Sequence, residues 1–148
     1  MKQKNFTTTM LVDQESKTVF DAINSPTDWW SGEIEGSANG LHHEFVYRYK
    51  DLHMSKQRVI EFVPEQKVVW AVTESLINYV EDKQEWTGTK IIFEISRHGQ
   101  QTEIRFTHEG LHPQIECFDA CSTTWSKIMQ VSLLTFITTG KAKKLELA

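Results

Sequence analysis

Along the chain, apolar positions recur at every second residue in some stretches and at every third or fourth in others. Each change of period marks a change of element. Phe6 to Val12 (FTTTMLV) is rich in threonine and apolar residues and predicts a strand. From Asp13 to Asn24 the period lengthens. Val19, Phe20 and Ile23 fall on one helical face, with Asp13 or Ser16 as N-cap. A second short helix is expected at Ser25-Pro26-Thr27-Asp28, with Ser25 as cap, Pro26 in the first helical position and Asp28 near the positive end of the dipole. It delivers the pair Trp29-Trp30.

The middle of the chain reads as strands and turns. Glu44 to Lys50 alternates, with Phe45, Tyr47 and Tyr49 on one face and Val46, Arg48 and Lys50 on the other. Met54 to Val63 predicts a long strand with Arg58, Ile60 and Phe62 on one face and Val59, Glu61 and Val63 on the other. Pro64 to Lys67 is a turn, followed by Val68 to Thr73 with Trp70 in an apolar run. Lys83 to Ser96 and Thr102 to His108 predict two more strands, joined by His98-Gly99-Gln100-Gln101. Successive strands with short turns imply an antiparallel meander.

The last element is the longest. Pro113 suits a first helical position, Glu116 sits in the first turn, and Gly140 with Lys141, Lys143 and Lys144 marks the end. Pro113 to Thr139 would span roughly 40 Å as a helix. Phe118, Cys121, Trp125, Ile128, Met129, Ser132, Leu133 and Phe136 recur at three- and four-residue steps, an apolar stripe that needs a sheet to lie on. The pattern therefore predicts an α+β fold: a curved antiparallel sheet gripping a long C-terminal helix, with two short helices after the first strand. A single domain is expected over 1–148, with its core at about 4–140.

Composition narrows the function classes. The 148 residues are 39% hydrophobic and 24% charged, which excludes a disordered chain. A net charge of −4 argues against binding nucleic acid through its phosphates. No apolar run is long enough to span a membrane, and no signal peptide is legible at the start, so a cytoplasmic protein without membrane attachment is expected. Cys117 and Cys121 are the only cysteines and read as packed free thiols. Their spacing, even with His108 or His112 nearby, matches no common zinc pattern, so neither metal nor cofactor is expected. No Gly-x-Ser-x-Gly turn occurs, which argues against an esterase.

Three segments carry a family resemblance: Val19-Phe20-Asp21-Ala22-Ile23 followed by Trp29-Trp30, Phe106 to Leu111, and the terminal helix behind Gly110-Leu111. With the opening strand they resemble the START-like (birch-pollen-allergen-like, SRPBCC) superfamily. Within it they look most like the bacterial proteins named after the activator of the heat-shock chaperone ATPase. The resemblance covers nearly the whole chain. It implies a helix-grip fold with a deep pocket for apolar small molecules, in a superfamily that spans lipid carriers, hormone receptors, polyketide cyclases and co-chaperone domains.

Within that fold the aromatic positions become candidate pocket lining. The expected ligand-binding residues are Trp30, Tyr47, Tyr49, Trp70, Phe93, Phe106, His108, Trp125 and Met129. Tyr47, Tyr49 and His108 would orient an apolar or aromatic, lipid- or polyketide-like molecule. A dry void of about 300 Å³ would cost on the order of 7 kcal/mol, so a large pocket should hold water or a ligand. Two alternatives stand beside this reading. One is a co-chaperone-like interaction module, with a chaperone partner or a homodimer. The other is a cyclase or dehydratase using His108, at the pocket rim, as acid or base.

Overall fold

The computed structural model describes residues 5–141. Seven antiparallel strands form one sheet in the order β1-β7-β6-β5-β4-β3-β2. They are β1 (Phe6–Val12), β2 (Glu33–Gly36), β3 (Glu44–Tyr49), β4 (His53–Val63), β5 (Lys67–Ile77), β6 (Lys90–His98) and β7 (Gln101–Glu109). Helix α1 (Ser16–Ile23) and a 3₁₀ turn (Pro26–Asp28) follow β1. After β7 the chain enters α2 (Phe118–Lys127), a π-helical stretch (Ile128–Leu133) and α3 (Leu134–Thr139), one continuous helix of 22 residues. This is the helix-grip arrangement that the pattern predicts.

Side chains alternating toward the concave face make the core: Met10 and Val12 on β1, Val68, Trp70 and Val72 on β5, Ile91, Phe93 and Ile95 on β6, and Ile104, Phe106 and His108 on β7. The register between β4 and β5 slips at Lys56/Gln57 and again at Val59/Glu61. Such bulges bend a sheet and re-aim side chains. The second slip corrects the expected alternation of β4. Val59 is buried, and Phe62 returns to the same side to pack edge-on against Phe20, with ring centroids 5.0 Å apart.

Several boundaries also differ from the sequence reading. β2 was not expected; it is short, carries Glu33 and Glu35, and closes the sheet at an edge, where charge discourages further pairing. β6 starts at Lys90 instead of Lys83, because Asp82 to Gly88 is a polar run of turns with Gly88 at φ +88°. Neither Asp13 nor Ser16 caps α1: Glu15 holds that position, and Ser25 turns its hydroxyl back to the Asp21 carbonyl (3.1 Å). The terminal helix begins at Phe118, and its exit is as expected, with Gly140 left-handed at φ +74° and its N–H on Phe136 O (2.9 Å). Lys4, Lys143 and Lys144 lie outside the described residues.

The π stretch explains the helix's buried stripe. Cys117, Cys121, Trp125, Met129, Leu133 and Ile137 are all buried and lie four residues apart. In a regular α-helix each such step drifts about 40° around the axis. A wider π turn removes much of that drift, so the stripe stays on the sheet, and it is Ile137, not Phe136, that ends it.

Candidate functional site

Between the start of the terminal helix and one end of the sheet lies a cavity of about 310 Å³. Its wall is drawn from four regions: Trp30 behind the 3₁₀ turn; Tyr47, Tyr49, Leu52 and His53 from β3, β4 and their connection; Tyr79 and Trp86 from the loop after β5; and Ala120, Cys121, Thr124, Trp125 and Ile128 from the helix. Tyr79 is 46% exposed and stands at the mouth. Five of these rings close a circuit of contacts. Trp30 stacks on Tyr47 (4.0 Å between centroids) and tilts against Trp125 (5.1 Å). Trp125 stacks on Trp86 (5.9 Å), Trp86 meets His53 edge-on (4.3 Å), and His53 meets Tyr47 (5.5 Å). Aromatic pairs at such separations hold each other in orientation, so the wall is preformed.

Of the nine residues expected to bind ligand, Trp30, Tyr47, Tyr49 and Trp125 line this cavity. Trp70, Phe93, Phe106, Met129 and His108 do not; each is fully buried behind the wall. Trp30 lies over Trp70 (6.4 Å) and Trp125 over Phe106 (4.6 Å), so the indoles fill the space above the sheet's centre and displace the cavity toward its end. Met129 faces the sheet one residue beyond Ile128, which takes the cavity position.

His108 needs the largest correction. It sits in the core, not at a rim. Trp125 Nε1 donates to its Nδ1 (3.0 Å), and an indole nitrogen can only donate. The proton of a neutral ring therefore sits on Nε2, which gives it to Thr89 Oγ1 (2.9 Å), and Thr89 passes its own to Trp86 O (2.6 Å). Every donor and acceptor in this chain is satisfied by neutral groups. Burial, with a smaller contribution from His53, pushes the His108 pKa down to about 3. With both nitrogens committed, His108 has no lone pair to offer a substrate proton. Its work is to hold Trp125, Thr89 and Trp86 in place.

His53, Trp86 and Tyr79 were missed. Trp86 is a lone indole in a polar loop, and that isolation is the signal that could have found it. His53 Nε2 and Trp86 Nε1 are buried without hydrogen-bond partners. Burial pushes the His53 pKa down to about 4, so the ring is neutral near pH 7. The Tyr47 hydroxyl donates to Ser31 O, and burial raises its pKa above the usual tyrosine range. The loop bearing Tyr79 and Trp86 is clamped to the helix: Glu85 accepts from the N–H groups of Glu116 (2.5 Å) and Cys117 (3.0 Å), while Glu116 accepts from Glu81 N–H (3.0 Å). The bonds join the loop to the turn that leads into the helix at Phe118.

Arg48, Lys50, Arg58 and Arg105 are exposed and Lys56 is half-buried; none lines the cavity. Among the described residues no three His, Cys, Asp or Glu side chains gather as a metal site would need, and no helix is long and apolar enough to cross a membrane.

The fold and cavity together define a helix-grip protein with an aromatic pocket at one end of its sheet. No protein-family profile matches the sequence, and no curated protein does. Solved structures do. The Aha1 dimer from Colwellia psychrerythraea superposes with a TM-score of 0.75 at 23% identity, over 94% of this chain and 99% of that one. Protein SSP2350 from Staphylococcus saprophyticus gives 0.69 at 15%, over 95% and 96%. CalU16 from Micromonospora echinospora gives 0.64 at 12%, over 90% and 74%. At these identities the likeness is one of fold, the fold that the START-like resemblance implies.

Proposed function

We propose that this protein binds a flat, apolar or aromatic small molecule in the cavity beside Trp30, Tyr47, Trp86 and Trp125. One observation carries the reading: five rings from distant parts of the chain, joined in a closed circuit of contacts, line a space that no side chain fills. At about 310 Å³ that space lies at the lower end of ligand pockets, which run roughly 300–1,000 Å³. Apolar walls with a few polar atoms are what such pockets have in common, and here His53 and Trp86 supply polar atoms that lack partners.

Native mass spectrometry of gently purified protein tests the reading. A bound mass of a few hundred daltons is expected in the wild type and lost in Thr124→Trp, which fills the cavity from a half-buried helix position. If the wild type flies clean, and flat aromatic compounds leave its tryptophan fluorescence unchanged, the reading is wrong. A homodimer is the partner that the comparisons favour, because the Colwellia psychrerythraea structure is of a dimer. Sedimentation velocity across concentration decides it: one sharp monomer boundary throughout rejects self-association.

A further inference from the structure

We propose that Cys121 is a covalent capture point, at which the cavity takes soft, apolar electrophiles of the α,β-unsaturated carbonyl class. The inference rests on the cavity reading above.

Three observations meet at this sulfur. Cys121 is 4% exposed, yet it lines the cavity, so the way to it leads through an apolar, aromatic space. The Tyr79 hydroxyl at the mouth lies 3.4 Å from its Sγ, and the Cys117 thiol lies beside it, four residues back in the chain. The Trp86 indole N–H is buried beside both sulfurs, and makes no hydrogen bond of full geometry to either. A buried indole nitrogen can only donate, and a neutral thiol accepts weakly, so what it lacks is a strong acceptor. A thiolate sulfur, or the carbonyl oxygen of a molecule held against it, is an acceptor.

The same geometry distinguishes the two thiols. The hydrogen bond shared with Cys117 holds the Cys121 thiol below the ordinary range, with burial opposing, and of the two sulfurs only Cys121 lines the cavity. Cys121 is thus the sulfur that a molecule in the cavity reaches, and its thiolate is the nucleophile. Its addition to the β-carbon forms one C–S bond. The C=C electron pair moves onto the α-carbon and carbonyl oxygen as an enolate, and the proton that the thiol released to water returns to the α-carbon. Nothing leaves, and no oxidant or reductant is needed.

The test uses N-phenylmaleimide, the anionic N-(2-carboxyethyl)maleimide and the unreactive twin N-phenylsuccinimide on the folded full chain. Peptide mapping should place a single phenyl adduct on Cys121. Normalised to free cysteine, the phenyl reagent should react at least about tenfold faster than the anionic one, the gain expected from burying one ring. N-phenylsuccinimide should slow it. The adduct should persist in Cys117→Ala and vanish in Cys121→Ala. Modification at Cys117, modification only after unfolding, or equal rates for the two maleimides would overturn the proposal. The wild-type mapping stands even where a variant folds poorly. Should N-phenylsuccinimide quench the cavity tryptophans while no adduct forms, covalent capture fails and the cavity reading survives. If it neither binds nor protects, and the two rates are equal, both fail.

Discussion

The indole N–H of Trp125 donates to Nδ1 of His108 over 3.0 Å, and through this bond the cavity wall is tied to the sheet behind it. Trp125 belongs to the terminal helix and His108 to β7, so the bond also joins the two layers of the fold. His108 is fully buried, and its other nitrogen reaches Thr89, which holds the backbone of Trp86. One imidazole thus sets the position of two of the five rings around the cavity.

Removing that imidazole should cost more than a cavity-sized loss. In His108→Ala the Trp125 N–H is left buried and unpaired in addition to the void, for a total of about 3 kcal/mol or more. Urea unfolding near neutral pH measures it. A loss below about 1 kcal/mol would show that the network is not coupled to stability.

Acid should weaken the fold through two histidines, His108, which is buried, and His53, which is half-buried with its Nε2 shut off from solvent. Both folded pKa values are depressed, to about 4 for His53 and about 3 for His108, from an ordinary 6.5. Below 6.5 the unfolded chain therefore binds protons that the folded chain refuses. The stability that depends on neutral rings is whole above about 6.5, and it falls with pH until about 4 for His53 and about 3 for His108. Each ring contributes a slope of up to about 1.4 kcal/mol per pH unit. Urea midpoints between pH about 7.5 and about 5 should drop, and His53→Phe should drop less steeply than wild type. Equal slopes in the two proteins would remove His53 from this account.

Glu85 fastens the Trp86 loop to the helix start. In Glu85→Ala the N–H groups of Glu116 and Cys117 lose their shared acceptor, which should cost about 1–2 kcal/mol. Amide hydrogen exchange at these two positions should accelerate, and Glu85→Gln should recover part of the protection. Unchanged exchange in the alanine variant would show that these two bonds are dispensable.

Gly32 guards the Tyr47 ring. Its φ is +126°, and a Cβ there would stand 2.5 Å from Arg48 O and 2.8 Å from Tyr47 Cε1. Gly32→Ala therefore combines backbone strain with a push on a cavity wall, and should destabilise by about 2 kcal/mol or more while weakening any flat ligand. Thermal unfolding with and without the ligand found by mass spectrometry checks both effects.

How far the sequence could be read follows from which interactions are local. β1, β3 and β7 were found nearly to the residue, and Gly140 was recognised as the helix end, because alternation and capping are properties of neighbours in the chain. The Val59/Glu61 bulge and the π stretch escaped, because each is an accommodation to a packing partner: β5 for the one, the curved sheet for the other. Period counting assumes an unbroken repeat, and both features break it.

The division is sharpest at the site. The helix-grip fold and the supply of aromatic residues on faces that must be buried are legible from residue order alone, since burial periodicity is written there. Where the space lies and which residues line it follow from packing in three dimensions. Trp29 and Trp30 from before β2 and Trp125 from the helix cover Trp70, Phe93 and Phe106, so candidates alike in pattern divide into wall and core. Trp86 and His53 join the wall because the loop after β5 and the start of β4 converge on the helix start. His108 became a structural tie instead of a base because two partners, 17 and 19 residues away in the chain, take both its nitrogens. A residue's role there is set by its neighbours in space, and the local pattern does not contain them.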